Sequence, residues 1–161
     1  MALSGTCRLG PLFARLPVGA IFAYHGYEKL FGGKWDEFYQ GVKSFGFPSW
    51  FDPNIMAHVA AWGEFVGGIC LIIGLLTRLA ALVNAGTMVV GIWKVHLGGD
   101  LSLDSIKSHF STMDGHGYEF PLALLGICLC LFFVGAGALS LDSLFRRERP
   151  PMVVTTMPAM K

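Results

Sequence analysis

The sequence predicts an all-α integral membrane protein, a four-helix bundle with an interfacial helix in its first outer loop. Three observations lead there. Charged residues make up only 14% of the 161 residues and hydrophobic residues 53%, whereas a soluble domain carries about 25% charged residues. Four apolar stretches each reach roughly the 20 residues that a helix needs to cross a bilayer. Arginines gather on one side of those stretches and acids on the other.

The first stretch runs from about Leu9 to Leu30, the second from His58 to Leu76, the third from Leu79 to Leu97 and the fourth from Glu119 to Leu139. Only Thr77 and Arg78 separate the second from the third, so these two are expected to form a tight antiparallel hairpin. The other two connections are long. In the first of them Trp35, Phe38, Tyr39, Val42 and Phe45 recur at three- and four-residue steps, one face of an amphipathic helix. Phe47, Trp50 and Phe51 follow, and aromatic rings favour the membrane boundary. This helix is expected on the outer interface, with a lid over the bundle as the alternative. Residues 1–149 are expected to form the transmembrane domain and residues 150–161 a flexible cytoplasmic tail. No cleavable signal is evident, because Arg15 interrupts the first run and no small-residue cleavage site follows.

Arg8, Arg78, Arg146, Arg147, Arg149 and Lys161 fall on one side. Lys34, Lys43 and Lys107 share the other with most of the acids. The positive-inside rule puts the Arg-rich side and both termini in the cytoplasm, so a multi-pass inner (plasma) membrane protein is expected. A net charge of +1 gives no reason for a nucleic-acid partner. The four cysteines, Cys7, Cys70, Cys128 and Cys130, form no C-x-x-C pair and read as small packing residues.

Ionisable groups in lipid are costly unless paired and usually face the bundle interior. At 1.5 Å per residue, Glu64 lies about 5 Å to the outer side of its helix centre and His25 about 8 Å, with Arg15 about 7 Å to the cytoplasmic side. His96 and Glu119 lie further out. A helical wheel puts Arg15, His25 and Lys29 on one face. Glu64 sits beside a G-x-x-x-G ridge, Gly63 and Gly67, which favours a close helix contact. Its depth favours His25 or a bound ligand as its partner over Arg15. A bis-histidine haem through His25 and His96 has no further support in the sequence. No metal site, phosphate loop or nucleophile motif is present.

Two longer patterns carry a resemblance. One is E-x-x-G-G-x-x-L-x-x-G-L-x-T-R, from Glu64 to Arg78. The other is G-x-G-x-x-S-L-D, from Gly135 to Asp142. With the flanking runs RLPVGAIFAYHGYEKLFGG and GFPSWF they resemble the DoxX family of small membrane proteins over about residues 12 to 143. The resemblance implies a four-helix membrane bundle and membrane redox chemistry, since the family takes its name from a subunit of a membrane thiosulfate:quinone oxidoreductase. The loop before Glu119 is longer than the family minimum.

The leading expectation is a membrane subunit of a quinone-linked redox system. It would bind a quinone or small reduced substrate in an outer-half pocket. Glu64 would accept a proton or hydrogen bond, and His25 would hydrogen-bond or shuttle a proton. Arg15, Trp93, His96 and Glu119 complete the candidate substrate-binding set. The alternative is a non-catalytic assembly subunit that docks to other membrane or redox subunits, since the chain has no cofactor motif of its own. A homo-oligomer is compatible with either, and small-molecule transport is a third reading. The topology has a direct test. A reporter active only in the periplasm, fused after Lys161, is expected to stay silent, and strong activity would overturn the assignment.

Overall fold

The computed structural model of the chain describes residues 9–110 and 117–145. The expected tail from Pro150, and the arginines at positions 8, 146, 147 and 149, lie outside them. The described residues form helices and no strand: α1 (Gly10–Leu30), α2 (Trp35–Ser44), α3 (Pro53–Ile73), α4 (Thr77–Val90), α5 (Leu103–Ser108), α6 (Glu119–Val134) and α7 (Leu141–Phe145). Helix α4 continues as a π-helical turn, Gly91–His96. Its two parts together, Thr77–His96, and α3 are the two helices long and apolar enough to cross a membrane; α6 is a shorter apolar helix. Helix α1 packs on α3, α3 on α4, α4 on α6 and α6 back on α1.

Local signals explain the boundaries. Helix α3 starts five residues before the apolar run, because Asp52 caps it by accepting from the Asn54 N–H at 2.8 Å and Pro53 suits the first turn. It ends at Gly74, whose φ of 70° closes a left-handed cap, with the Leu75 N–H bonded to the Cys70 carbonyl at 2.9 Å. The turn therefore falls at residues 74–76, and Thr77 and Arg78 open α4 instead of linking the hairpin. Helix α6 stops at Val134 because Gly135 takes φ 87° and ψ −166°, outside the helical region. The aromatic helix forms as expected over Trp35–Ser44, with Asp36 and Glu37 in its first turn and Lys43 in its last, matching the helix dipole. It packs on α3 as well as facing outward: Val42 is buried, and the Trp35 ring lies 4.3 Å from that of His58.

The tightest seam joins α1 to α3. A Cβ on Gly68 would run into the Ala23 backbone, and one on Gly26 into the Phe65 backbone; a Cβ on Gly19 would lie 2.8 Å from the Gly68 carbonyl. These glycines let the two backbones touch. Gly63 and Gly67 face α4, where a Cβ on Gly67 would meet the Asn84 amide. Val18, Phe22, Leu71, Ala81, Leu124, Cys128 and Leu131 fill the centre. Cys128 is buried and Cys130 exposed, as expected of residues two apart on a helix.

The exterior is apolar. Phe13, Val59, Val66, Leu79, Leu82, Phe120 and Phe133 are exposed, whereas Arg15, Glu64, Thr77 and Asn84 are buried. Polar-inside, apolar-outside packing of this kind suits lipid.

The seam makes a quantitative prediction. Gly68→Ala should destabilise the fold by about 1–3 kcal/mol, the cost of overpacking. Gly126→Ala, where no atom lies within 4 Å of the new Cβ, should be neutral or stabilising by up to about 1 kcal/mol. Thermal unfolding in a mild detergent checks both, and a Gly68→Ala variant as stable as wild type would refute the seam.

Candidate functional site

Polar residues collect in two places. Near the middle of α3, Glu64 forms an ion pair with Lys29 from the last turn of α1. Glu64 is 4% exposed. Its partner is thus Lys29, not His25 as its depth suggested. The reason is side-chain direction. Side chains lean towards the N-terminus of their own helix. Helices α1 and α3 are antiparallel, so Lys29 leans down towards the middle of the bundle while Glu64 leans up to meet it. The Lys29 ammonium also lies 4.6 Å from the centre of the Phe38 ring on α2, a cation–π contact that ties α2 to the pair. Further out, Glu28 pairs with Lys34 at 2.7 Å, and Glu28 holds the Lys34 ammonium above its ordinary range. Lys34 is exposed, so that pair contributes little to stability.

Beside Glu64 lies a cavity of about 390 Å³, within the roughly 300–1,000 Å³ of small-molecule sites. Val42 and Phe45 of the α2 segment, with Phe47 and Phe51, form one wall; Met56, Val59, Ala60 and Glu64 of α3 form the second; Val83, Gly86, Thr87 and Val90 of α4, with Gly91 at the start of the π-helical turn, form the third. Glu64 is the charged residue of an otherwise largely apolar lining. A Cβ on Gly86 would meet nothing within 4 Å, so this glycine leaves open space. The π-helical turn begins at the cavity edge. Within it Lys94 lies 4.1 Å from the Trp93 ring and 5.5 Å from that of Phe47, and Trp93 Nε1 donates to the Gly99 carbonyl at 3.2 Å.

The other expected site residues do not line this cavity. His25 is exposed and meets the edge of the Tyr24 ring at 6.0 Å. The wheel grouped it with Arg15 and Lys29 on one face, but packing buries Arg15 and half-buries Lys29 while leaving His25 outside. Glu119 is exposed on the first turn of α6. Trp93 and His96 are half-buried in the π-helical turn. No group of three metal-ligating side chains occurs among the described residues. The residues that sequence reasoning missed are Lys29 and the lining residues Met56, Gly86 and Thr87. The aromatic run from Phe45 to Phe51 was visible in the sequence, although it read as a boundary anchor.

Arg15 belongs to the second of these places. It is 1% exposed; its Nη2 donates to the Leu139 carbonyl, and its Nη1 abuts Gly74. The Asp142 N–H donates to the Gly74 carbonyl at 2.9 Å. The Asp142 carboxylate accepts from the Leu76 and Thr77 N–H groups at 2.8 and 2.9 Å, capping α4 from outside its own segment. Arg78 donates to the Phe133 carbonyl at 3.3 Å. The two sequence patterns, Glu64 to Arg78 and Gly135 to Asp142, therefore meet in space.

The DoxX family model matches residues 10–97, more than half of the chain. The chain belongs to the DoxX family. Among its relatives, a Haemophilus influenzae protein described as uncharacterized is 33% identical over 80% of this chain and 78% of that protein. The Bacillus subtilis protein named "Putative oxidoreductase CatD" is 32% identical over 83% of this chain and 85% of its own length. The Escherichia coli inner membrane protein YqjF is 26% identical over 87% of this chain and 95% of its own length. No solved structure matches this DoxX chain.

The ion pair yields a prediction. Removing one partner of a buried pair leaves the other charge uncompensated, at about 3–5 kcal/mol. Lys29→Met should lose about 3 kcal/mol, near the low end of that range, because Lys29 keeps some contact with solvent. The double variant Lys29→Met/Glu64→Leu should regain most of the loss. Unfolding in mild detergent measures both. A Lys29→Met variant of full stability would show that the pair is not structural.

Proposed function

We propose that this DoxX protein is a four-helix inner-membrane protein of a redox system. It binds a lipid-soluble quinone-class molecule, or a small reduced substrate, in the cavity walled by α2, α3 and α4. The observation that carries the proposal is the cavity itself, a largely apolar space of about 390 Å³ with the buried carboxylate of Glu64 in its wall. An apolar pocket with one convergent ionisable group is the usual form of a small-molecule site, and an ionisable group at membrane depth points to function. The oxidoreductase name of the Bacillus subtilis relative and the inner-membrane name of the Escherichia coli relative support the redox and location parts of the reading.

In this reading the apolar exterior faces lipid. The Arg15–Asp142 end lies towards the cytoplasm and the cavity in the outer half. Glu64 anchors the polar group of the ligand and takes part in its proton exchange. Helix α2, held by Lys29 and by the Trp35–His58 contact, closes over the ligand. Arg15 serves the architecture at the other end.

Organic extraction of the gently purified protein, followed by mass spectrometry, tests the proposal. A quinone-class molecule should copurify with wild type. It should fall at least fivefold in Gly86→Leu, whose side chain would enter the cavity where glycine leaves space. Absence of any such molecule from wild type, or equal amounts in both proteins, would reject the assignment of this cavity.

A further inference from the structure

The cavity's polar side chains share one property. Glu64 accepts from Lys29 at Oε2, and no other donor reaches it among the described residues. A carboxylate in an ion pair is an acceptor only, and among the described residues Lys29 reaches its Oε2, leaving the lone pairs of Oε1 for a ligand. The other polar side chain in the lining is Thr87. Its hydroxyl is spent as a donor, to the Asn84 carbonyl at 2.8 Å, so it too presents only lone pairs. Several backbone donors of the lining are likewise committed. The Gly91 N–H bonds to the Thr87 and Met88 carbonyls, that of Phe45 to Val42, that of Phe51 to Pro48 and that of Met56 to Asp52.

From this we infer that the cavity selects a ligand that donates hydrogen bonds: the hydroxyl-bearing, reduced form of a quinone-class ring over its dicarbonyl form. The inference rests on the proposed function of the same cavity and deepens it. A dicarbonyl ring has acceptors only. Placed against Glu64 and Thr87 it would set lone pair against lone pair and leave a desolvated carboxylate oxygen unpaired. A phenolic hydroxyl donates to that oxygen, and hydrogen bonds to an ionised acceptor are the stronger kind. The apolar wall from Phe45 to Phe51 takes the ring in either form, so discrimination falls to the two acceptors.

Titration calorimetry on the detergent-purified full chain tests the inference with three probes of one shape: a short-chain benzoquinol kept under nitrogen, the matching benzoquinone, and the quinol dimethyl ether, a reduced ring without donors. The quinol should bind at least tenfold more tightly than either of the others. In Glu64→Gln, whose amide can also donate, the gap between quinol and quinone should narrow to within threefold. Equal affinity for quinol and quinone, or an ether that binds as tightly as the quinol, would overturn the inference. The cavity assignment would survive that result provided Gly86→Leu still abolished binding. If wild type bound none of the three, or if Gly86→Leu bound them undiminished, the cavity assignment would fail and the inference with it.

Discussion

The backbone contact between α1 and α3 is the constraint on which the rest of the structure depends. Gly19, Gly26 and Gly68 permit it, since any side chain at Gly26 or Gly68 would occupy the neighbouring main chain. Close approach compensates in lipid for the missing hydrophobic drive between helices. It also places Lys29 within reach of Glu64, so that a carboxylate can be buried without an unpaired charge. On its opposite flank α3 meets α4 less tightly near Gly86, and the cavity opens there. One close seam and one loose one thus give a rigid pair of helices beside a space that a ligand can enter.

The two sequence patterns of the DoxX family divide along the same line. Most of their residues build architecture. Gly74 turns the chain, Asp142 caps α4, and Arg78 reaches the end of α6. Arg15 joins the same cluster through the Leu139 carbonyl. Glu64 stands apart from this cluster, near the middle of α3, in the wall of the cavity.

How much of this was readable in the sequence depended on the length scale of the signal. Helices of about 20 apolar residues announce themselves, and the existence of α1, α3, α4 and α6 was legible. Their ends were less so, because hydropathy is blind to Asp52 as a cap and to Gly74 and Gly135 as stops. The π-helical turn at Gly91–His96 and the short helices α5 and α7 had no periodic signal long enough to read. For the site, Glu64 stood out by its depth. Lys29 did not, because depth was counted along Cα positions while its long side chain leans back along α1. The cavity wall was hidden for a different reason: Gly86, Thr87 and Met56 are ordinary helix residues until α2 folds over them.

The cap on α4 has a consequence for how the protein is made. The Leu76 and Thr77 N–H groups are satisfied by a carboxylate 66 and 65 residues further along the chain. At about 5–20 residues per second, roughly 3 to 13 s of translation separate the turn from the residue that completes it. For that interval the newborn hairpin carries open donors at its tip. The segment around Asp142 works as a clasp, and the turn between α3 and α4 stays incomplete until it arrives.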